Sequence, residues 1–301
     1  MSIAQPIQPP PPPPPPPGPP PPVATKVPSK KKLYQAIAAG KAPVEGDHTE
    51  ARLLLTQRES SLSKDLQWIL FNKYIPSLIQ DGPQCGLVAL WMAANLRNPP
   101  LHVSMETVVQ TAVDRGYTAQ GEMFSARDMA LLAEEVCVCR VELLSGGMGG
   151  DNSRTILTHL CEGQPVLVPY DEDLNHEPCQ RSGHRAHWAV ASGVLLGLAP
   201  GTVNKEHTEP DPTLPWLLLP RVSSFPCPSP GLREAYILAK QGKSLRYQLW
   251  SLDSLAQSND QLREMAPLRA GDGTPYVVPQ EGVEAGLSGQ VVLLYTGALT
   301  Q

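Results

Sequence analysis

Cys85 and His187 are the residues whose types and settings can do covalent chemistry. Cys85 sits in Gln80-Asp81-Gly82-Pro83-Gln84-Cys85-Gly86, directly ahead of the apolar run 87–94. A Gly/Pro turn feeding an apolar helix predicts a cysteine at a helix N-terminus. There, unpaired backbone N–H groups and the positive end of the dipole favour thiolate over thiol. His187, in Gly183-His184-Arg185-Ala186-His187-Trp188-Ala189-Val190, opens a stretch that reads as a buried strand. A helix-start thiol with a strand-start imidazole suits a thiol hydrolase. The histidine takes the thiol proton and later gives it to a leaving amine.

Thiolate attack on a carbonyl creates an oxyanion, which needs preorganised donors. The backbone N–H of Cys85 is one. A side-chain amide upstream supplies the other, with Gln80 favoured and Gln84 its competitor. Trp188 is placed to shield the ion pair from water, and His184 is the weaker histidine candidate. This chemistry requires no metal or organic cofactor.

Three rival patterns carry less. His176, Cys179, His184 and His187 offer four zinc-type ligands, but the spacing matches no common finger and the intervening Pro178, Ser182 and Gly183 read as loop. Cys137-Val138-Cys139 reads as core packing on a strand rather than as a redox pair. The 146–150 segment, Gly146-Gly147-Met148-Gly149-Gly150, lacks the Lys and spacing of a phosphate loop and reads as a mobile turn.

The elements that must hold these residues are legible in outline. A helix is expected over 49–58, and apolar anchors Trp68 to Ile75 open the globular region near residue 66. The Cys85 helix stops near Asn98, before Pro99-Pro100. Ser104 caps a helix to about 115, and Ser125 with Asp128 opens one to 136. Strands are expected over 137–144, 165–170, 187–196, 235–240, 245–252, 275–278 and 290–295, with helices over 154–161 and 254–265. Residues 198–231 read as a surface insertion. Helices first and strands after indicate an α+β fold with an antiparallel sheet. The domain plan is an arm over 1–32, a linker or helical lead-in over 33–65, and one domain over 66–301.

Composition narrows the class. A net charge of -5 disfavours nucleic-acid or anionic-membrane binding. Six irregularly spaced cysteines in 301 residues make no secreted disulfide framework. The N-terminus lacks a signal-peptide core and no apolar stretch is long enough to span a bilayer, so a reduced, cytoplasmic setting is expected. Proline is the outlier, at 34 residues. Pro9, Pro10, Pro11, Pro12, Pro13, Pro14, Pro15, Pro16 and Pro17 run uninterrupted, followed after Gly18 by Pro19, Pro20, Pro21 and Pro22. Such a run predicts a disordered arm in extended polyproline II form, about 40 Å long. It suits an aromatic-lined groove, and the unbroken run with distant lysines favours the profilin type.

The block 80–90, the Gly163-Gln164-Pro165-Val166-Leu167-Val168 strand and then His187-Trp188-Ala189-Val190 resemble the papain-like, C39-like cysteine peptidases over roughly residues 66 to 300. With the proline run ahead of them, they are more narrowly similar to the actin-processing members of that class. The resemblance implies a papain-like fold and an aminopeptidase that removes the acetylated N-terminal residue of actin. It further implies profilin, which carries actin and binds polyproline, as the route to substrate. Such peptidases orient the histidine with an Asp or Asn, and the corresponding stretch 236–243 has neither. Gln241, or Asp211 from the insertion, is left for that role. The missing Asp or Asn also leaves open a non-catalytic adaptor tethered by its proline arm. The 146–150 and 171–186 loops are the expected builders of the closed end of the cleft.

Overall fold

The structure is a computed structural model that describes residues 48–97, 102–204, 206–221 and 231–296. The proline arm falls outside the described residues. The centre of the fold is β5 (Ala186–Leu198), buried along nearly its whole length, as a strand covered on both faces must be. One edge of β5 pairs first with β3 (Val166–Glu172) and then with β1 (Gln67–Asn72). The other edge pairs throughout with β8 (Leu232–Gln241). Beyond β3 lie β10 (Val291–Tyr295) and β2 (Arg140–Leu144), with the two-residue β4 (Pro178–Cys179) also on β3. Beyond β1 lie β7 (Leu217–Pro220) and β6 (Thr208–Pro210), and β8 carries β9 (Gln248–Ser251). Every pairing is antiparallel except β1 with β7, which gives the expected α+β fold with a largely antiparallel sheet.

Two apolar layers cover the sheet. Helices α1 (Thr49–Arg58), α2 (Cys85–Ala94), α3 (Met105–Asp114) and α4 (Ala126–Cys137) share a core with Trp188, Val190 and Leu195. On the opposite face, α5 (Gly150–Cys161) and α6 (Leu252–Asp260) pack over Ala189, Ala191, Val194 and Leu196. The alternation changes phase between Ala191 and Gly193, where the β5–β8 register slips by one residue. That bulge sits where β5 exchanges β3 for β1, and the extra residue, Ser192, is buried and lies within bonding distance of Tyr247 and Asn72.

The predicted caps form: Ser104 Oγ accepts from Thr107 N at 3.0 Å and Ser125 Oγ from Asp128 N at 3.1 Å. Other expectations are corrected. The 137–144 strand begins at Arg140, because α4 runs to Cys137 and ends on Val138 in the left-handed region (φ 48). The two thiols that flank Val138 are buried and hydrogen-bonded to each other. Residues 275–278 are extended but join no ladder; Val277 N donates instead to Glu122 Oε1 at 2.8 Å. The insertion supplies β6 and β7, whose short apolar run was disguised by Pro210, Pro212, Pro215 and Pro220. β1 was missed as a strand because both its faces are buried, so no alternation betrays it. The described part of the lead-in packs into the body: Ala51 and Leu55 of α1 are buried in the core. Lys240 on β8, fully buried, reaches Glu50 Oε2 and Ile75 O at 2.8 Å and Ser77 Oγ at 2.9 Å.

Candidate active site

Cys85 begins α2, and its position is set by the chain on both sides. Upstream, Gln80 N donates to Gly242 O at 2.7 Å, fastening the turn to the end of β8. Downstream, Gly86 lies so close to the neighbouring chain that a Cβ there would come within 2.8 Å of Met129 Cε and 3.0 Å of Met123 Cβ. A larger residue there would require those methionines to shift.

His187 is the second residue of β5, paired with Tyr170 of β3, whose ring stands edge-on to it at 5.9 Å. The loop that leads into it is gathered by one buried carboxylate. Asp171 accepts from Arg181 N at 2.7 Å, Gly183 N at 2.9 Å, Arg185 N at 2.7 Å and Gln261 Nε2 at 3.1 Å. Four donors fill the acceptor capacity of a carboxylate, so the approach to His187 has a fixed course.

The two residues meet. Burial pushes the Cys85 thiol up, but the charge of His187 and a hydrogen bond from it, the Trp188 N–H and the Lys243 ammonium together outweigh burial. The net result brings the thiol down from 9.0 to about 7. Trp188 closes the site from behind, buried, with its indole N–H donating to Met123 O at 2.8 Å.

Gln241 stands beside the histidine. It pairs with Ala189, two residues along β5 and on the same face as His187, which brings its Oε1 to 3.1 Å from His187 Nε2. Asp211 does not join this group. Its carboxylate is taken up by Arg52 Nε at 2.6 Å, Thr213 N at 2.9 Å, Thr213 Oγ1 at 2.7 Å and Leu214 N at 3.0 Å.

The upstream amides separate. Gln80 lines the same cleft as Cys85 and His187, its Nε2 donating to Gly82 O at 2.7 Å. Gln84 turns away, against Gly121 and into a hollow lined by Val88, Met105 and Val109. The four zinc-type residues are dispersed rather than convergent: His176 Nδ1 lies 3.1 Å from Glu172, and His184 Nε2 2.8 Å from Glu264. Among the described residues no three His, Cys, Asp or Glu side chains are grouped to hold a metal. The five cysteines among the described residues are free.

The cleft measures about 490 Å³, the size of a small-ligand site. The 171–186 loop contributes Glu172, His184, Arg185 and Ala186 to its lining. The 146–150 loop is not among its walls. The cleft's other walls include Met123 and Phe124, with Arg269, Tyr276 and Leu287 from the C-terminal part of the chain. Arg269 stacks over Phe124 and Tyr276 at 5.9 and 5.6 Å. Lys243, Glu122 and Arg269 are cleft residues that no local sequence signal marks; Lys243 lies two residues beyond Gln241, just past the end of β8.

A helix-start thiol, drawn toward ionisation by an imidazole from the central strand, gives the cleft the chemistry of a thiol hydrolase. Residues 75–195 match the family described as actin maturation protease-like, C-terminal domain. The chain is 65% identical to the actin maturation protease of Danio rerio, over 89% of this chain and 88% of that one. It is 52% identical to that of Xenopus tropicalis (88% and 86% covered) and 53% identical to that of Homo sapiens (84% and 73% covered). A C39-like peptidase structure from Bacillus anthracis aligns with 73% of this chain and 94% of its own at a TM-score of 0.40 and 10% identity. The chain belongs to the actin maturation protease family. No helix among the described residues is long and apolar enough to cross a membrane.

Proposed function

We propose that this chain is a papain-like cysteine aminopeptidase that removes the acetylated N-terminal residue of actin. The observation that carries the reading is the Cys85–His187 pair in one cleft, with the buried Gln241 holding the imidazole from its far side. With His187 Nε2 turned to Gln241, Nδ1 is the nitrogen left to take the Cys85 proton. The thiolate attacks the carbonyl carbon of the terminal residue. The oxyanion forms beside the Cys85 N–H and the Gln80 amide, whose Nε2 keeps one hydrogen after bonding Gly82 O. His187 then protonates the departing amine, which is the new actin N-terminus. Water, deprotonated by the same imidazole, releases the acetylated residue from the thioester.

Actin as substrate is supported by the names of relatives at 52–65% identity. The adaptor reading arose from the missing Asp or Asn, and the oxygen that Gln241 presents to His187 favours the enzyme. Mass spectrometry of the actin N-terminus in cells lacking this protein, rescued by wild type or Cys85→Ala, is the test. Unprocessed actin should accumulate and be cleared by wild type alone; normal maturation without the protein would reject the substrate.

The thirteen prolines between Pro9 and Pro22 fit profilin as the carrier that delivers actin. Deleting residues 1–28 should leave peptide cleavage intact and slow cleavage of profilin-bound actin. Equal rates on that complex would reject delivery by the arm.

A further inference from the structure

Lys243 is tethered at both ends. Its backbone N donates at 2.6 Å to the same Gln241 Oε1 that faces His187. Its ammonium, on the cleft wall with Cys85, donates to Glu172 Oε1. Glu172 is itself fixed: its carboxylate is buried, with His176 Nδ1 at 3.1 Å and an Arg185 guanidinium nitrogen at 3.9 Å. A lysine held this way has lost the freedom that ordinarily makes its ammonium a mobile, well-hydrated charge.

We propose that Lys243 is a positioning residue for the thiol: its ammonium, braced by Glu172, keeps positive charge beside the Cys85 sulfur and favours its thiolate. The inference rests on Cys85 being the reactive thiol of the proposed enzyme. Two cations, His187 and Lys243, then act on one developing anion. The other charged groups around the cleft are committed elsewhere. Glu122 accepts from Thr118 and from the backbone of Ala119, Gln120 and Val277. His184 faces Glu264, and Arg269 lies on its two rings. The Tyr170 phenol stays neutral, because burial, reinforced by the neighbouring thiolate, pushes its ionisation well above the usual range. The interaction is mutual: burial draws Lys243 below the usual lysine range, while the Cys85 charge draws it back up and Arg269 opposes that.

The test is the pH profile of Cys85 alkylation by iodoacetamide, followed by peptide mass spectrometry on the full chain. Wild type, Lys243→Met, Lys243→Arg and His187→Ala are compared, with urea unfolding midpoints as the check on folding. The Lys243 side chain is partly exposed, so solvent screening limits the effect. Lys243→Met should raise the alkylation midpoint by roughly half to one pH unit, and slow alkylation at pH 7 about two- to fivefold. Lys243→Arg should keep the wild-type profile. Should the methionine variant unfold, Lys243→Gln, which can still donate to Glu172, reads the same loss of charge. An unchanged midpoint in a folded neutral variant overturns the proposal, as does an arginine variant that behaves like the neutral one. A profile that moves with His187→Ala but not with Lys243→Met rejects this inference alone. Indifference to His187→Ala rejects the enzyme reading beneath it.

Discussion

Gln241 Oε1 lies 3.1 Å from His187 Nε2 and 2.6 Å from the backbone nitrogen of Lys243. A backbone N–H can only donate, so the atom facing it must be the amide oxygen and not the amide nitrogen. That oxygen in turn requires a proton on His187 Nε2, which leaves Nδ1 bare toward the thiol. A main-chain donor two residues away thus fixes the tautomer of the candidate base. Gln241→Ala should lower kcat on an acetylated N-terminal peptide about 10- to 100-fold with little change in KM. This is less than the ~10⁴-fold loss when an orienting residue enforces the wrong tautomer. Unchanged kcat would remove Gln241 from the site.

The Cys85 thiol gives a second expectation, with a definite sign. Its affinity for a proton falls from 9.0 to about 7 on folding, so between those values the unfolded chain binds more protons than the native one. The stability it contributes is fully present above pH 9 and is lost as pH falls through about 7. Alkylation of Cys85 should rise through a midpoint near 7. Wild type should gain urea resistance from pH 7 to 9 relative to Cys85→Ser, and parallel stability curves would contradict this.

Gly242 supports Gln80 by having no side chain. A Cβ at that position would lie 2.7 Å from Gln80 Oε1 and 2.9 Å from its Cβ. Gly242→Ala should therefore displace the Gln80 amide and leave the Cys85–His187 pair in place. Peptide cleavage should fall roughly 10- to 100-fold, short of the ~10²–10³-fold lost on deleting an oxyanion donor outright. Alkylation of Cys85 should stay at the wild-type rate, and an equal loss in both assays would refute the separation.

Lys240 and Glu50 tie the first helix to the sheet. Removing the carboxylate takes this counter-charge from a fully buried ammonium that otherwise meets Ile75 O, Ser77 Oγ and the rings of Tyr74 and Tyr247. Glu50→Ala should cost about 3 kcal/mol in urea unfolding, the lower end expected for a broken buried pair because Glu50 is itself partly exposed. Replacing both partners by apolar residues, Lys240→Met with Glu50→Leu, should recover most of that loss. A Glu50→Ala variant as stable as wild type would show the pair to be structurally idle.

The helix-start cysteine and strand-start histidine could be read from sequence because each depends on local signals: a Gly/Pro turn before an apolar run, and an apolar run after a loop. α1 and the caps at Ser104 and Ser125 were legible for the same reason. What sequence could not supply was long-range registry. Gln241 stood beside Asp211 as an alternative until the β5–β8 pairing placed it opposite Ala189. Gln80 and Gln84 are four residues apart, and only the folded turn sends one into the cleft and the other against Gly121. Glu172 and Lys243 went unnoticed because each is ordinary in its own segment. The pair exists only where the ends of β3 and β8 come together.

The bulge at Ser192 has a consequence for which changes in chain length the strand can bear. Before it, odd-numbered residues of β5 face the α5–α6 layer; after it, even-numbered residues do. Ser192 makes up this difference, so removing it alone would let the alternation run unbroken with the residues on either side still facing their own layers. A single residue added to the strand would instead need a second bulge, whereas the loop after Leu198 can change length freely. Between His187 and the far end of its own strand the chain thus holds one residue of slack, at Ser192.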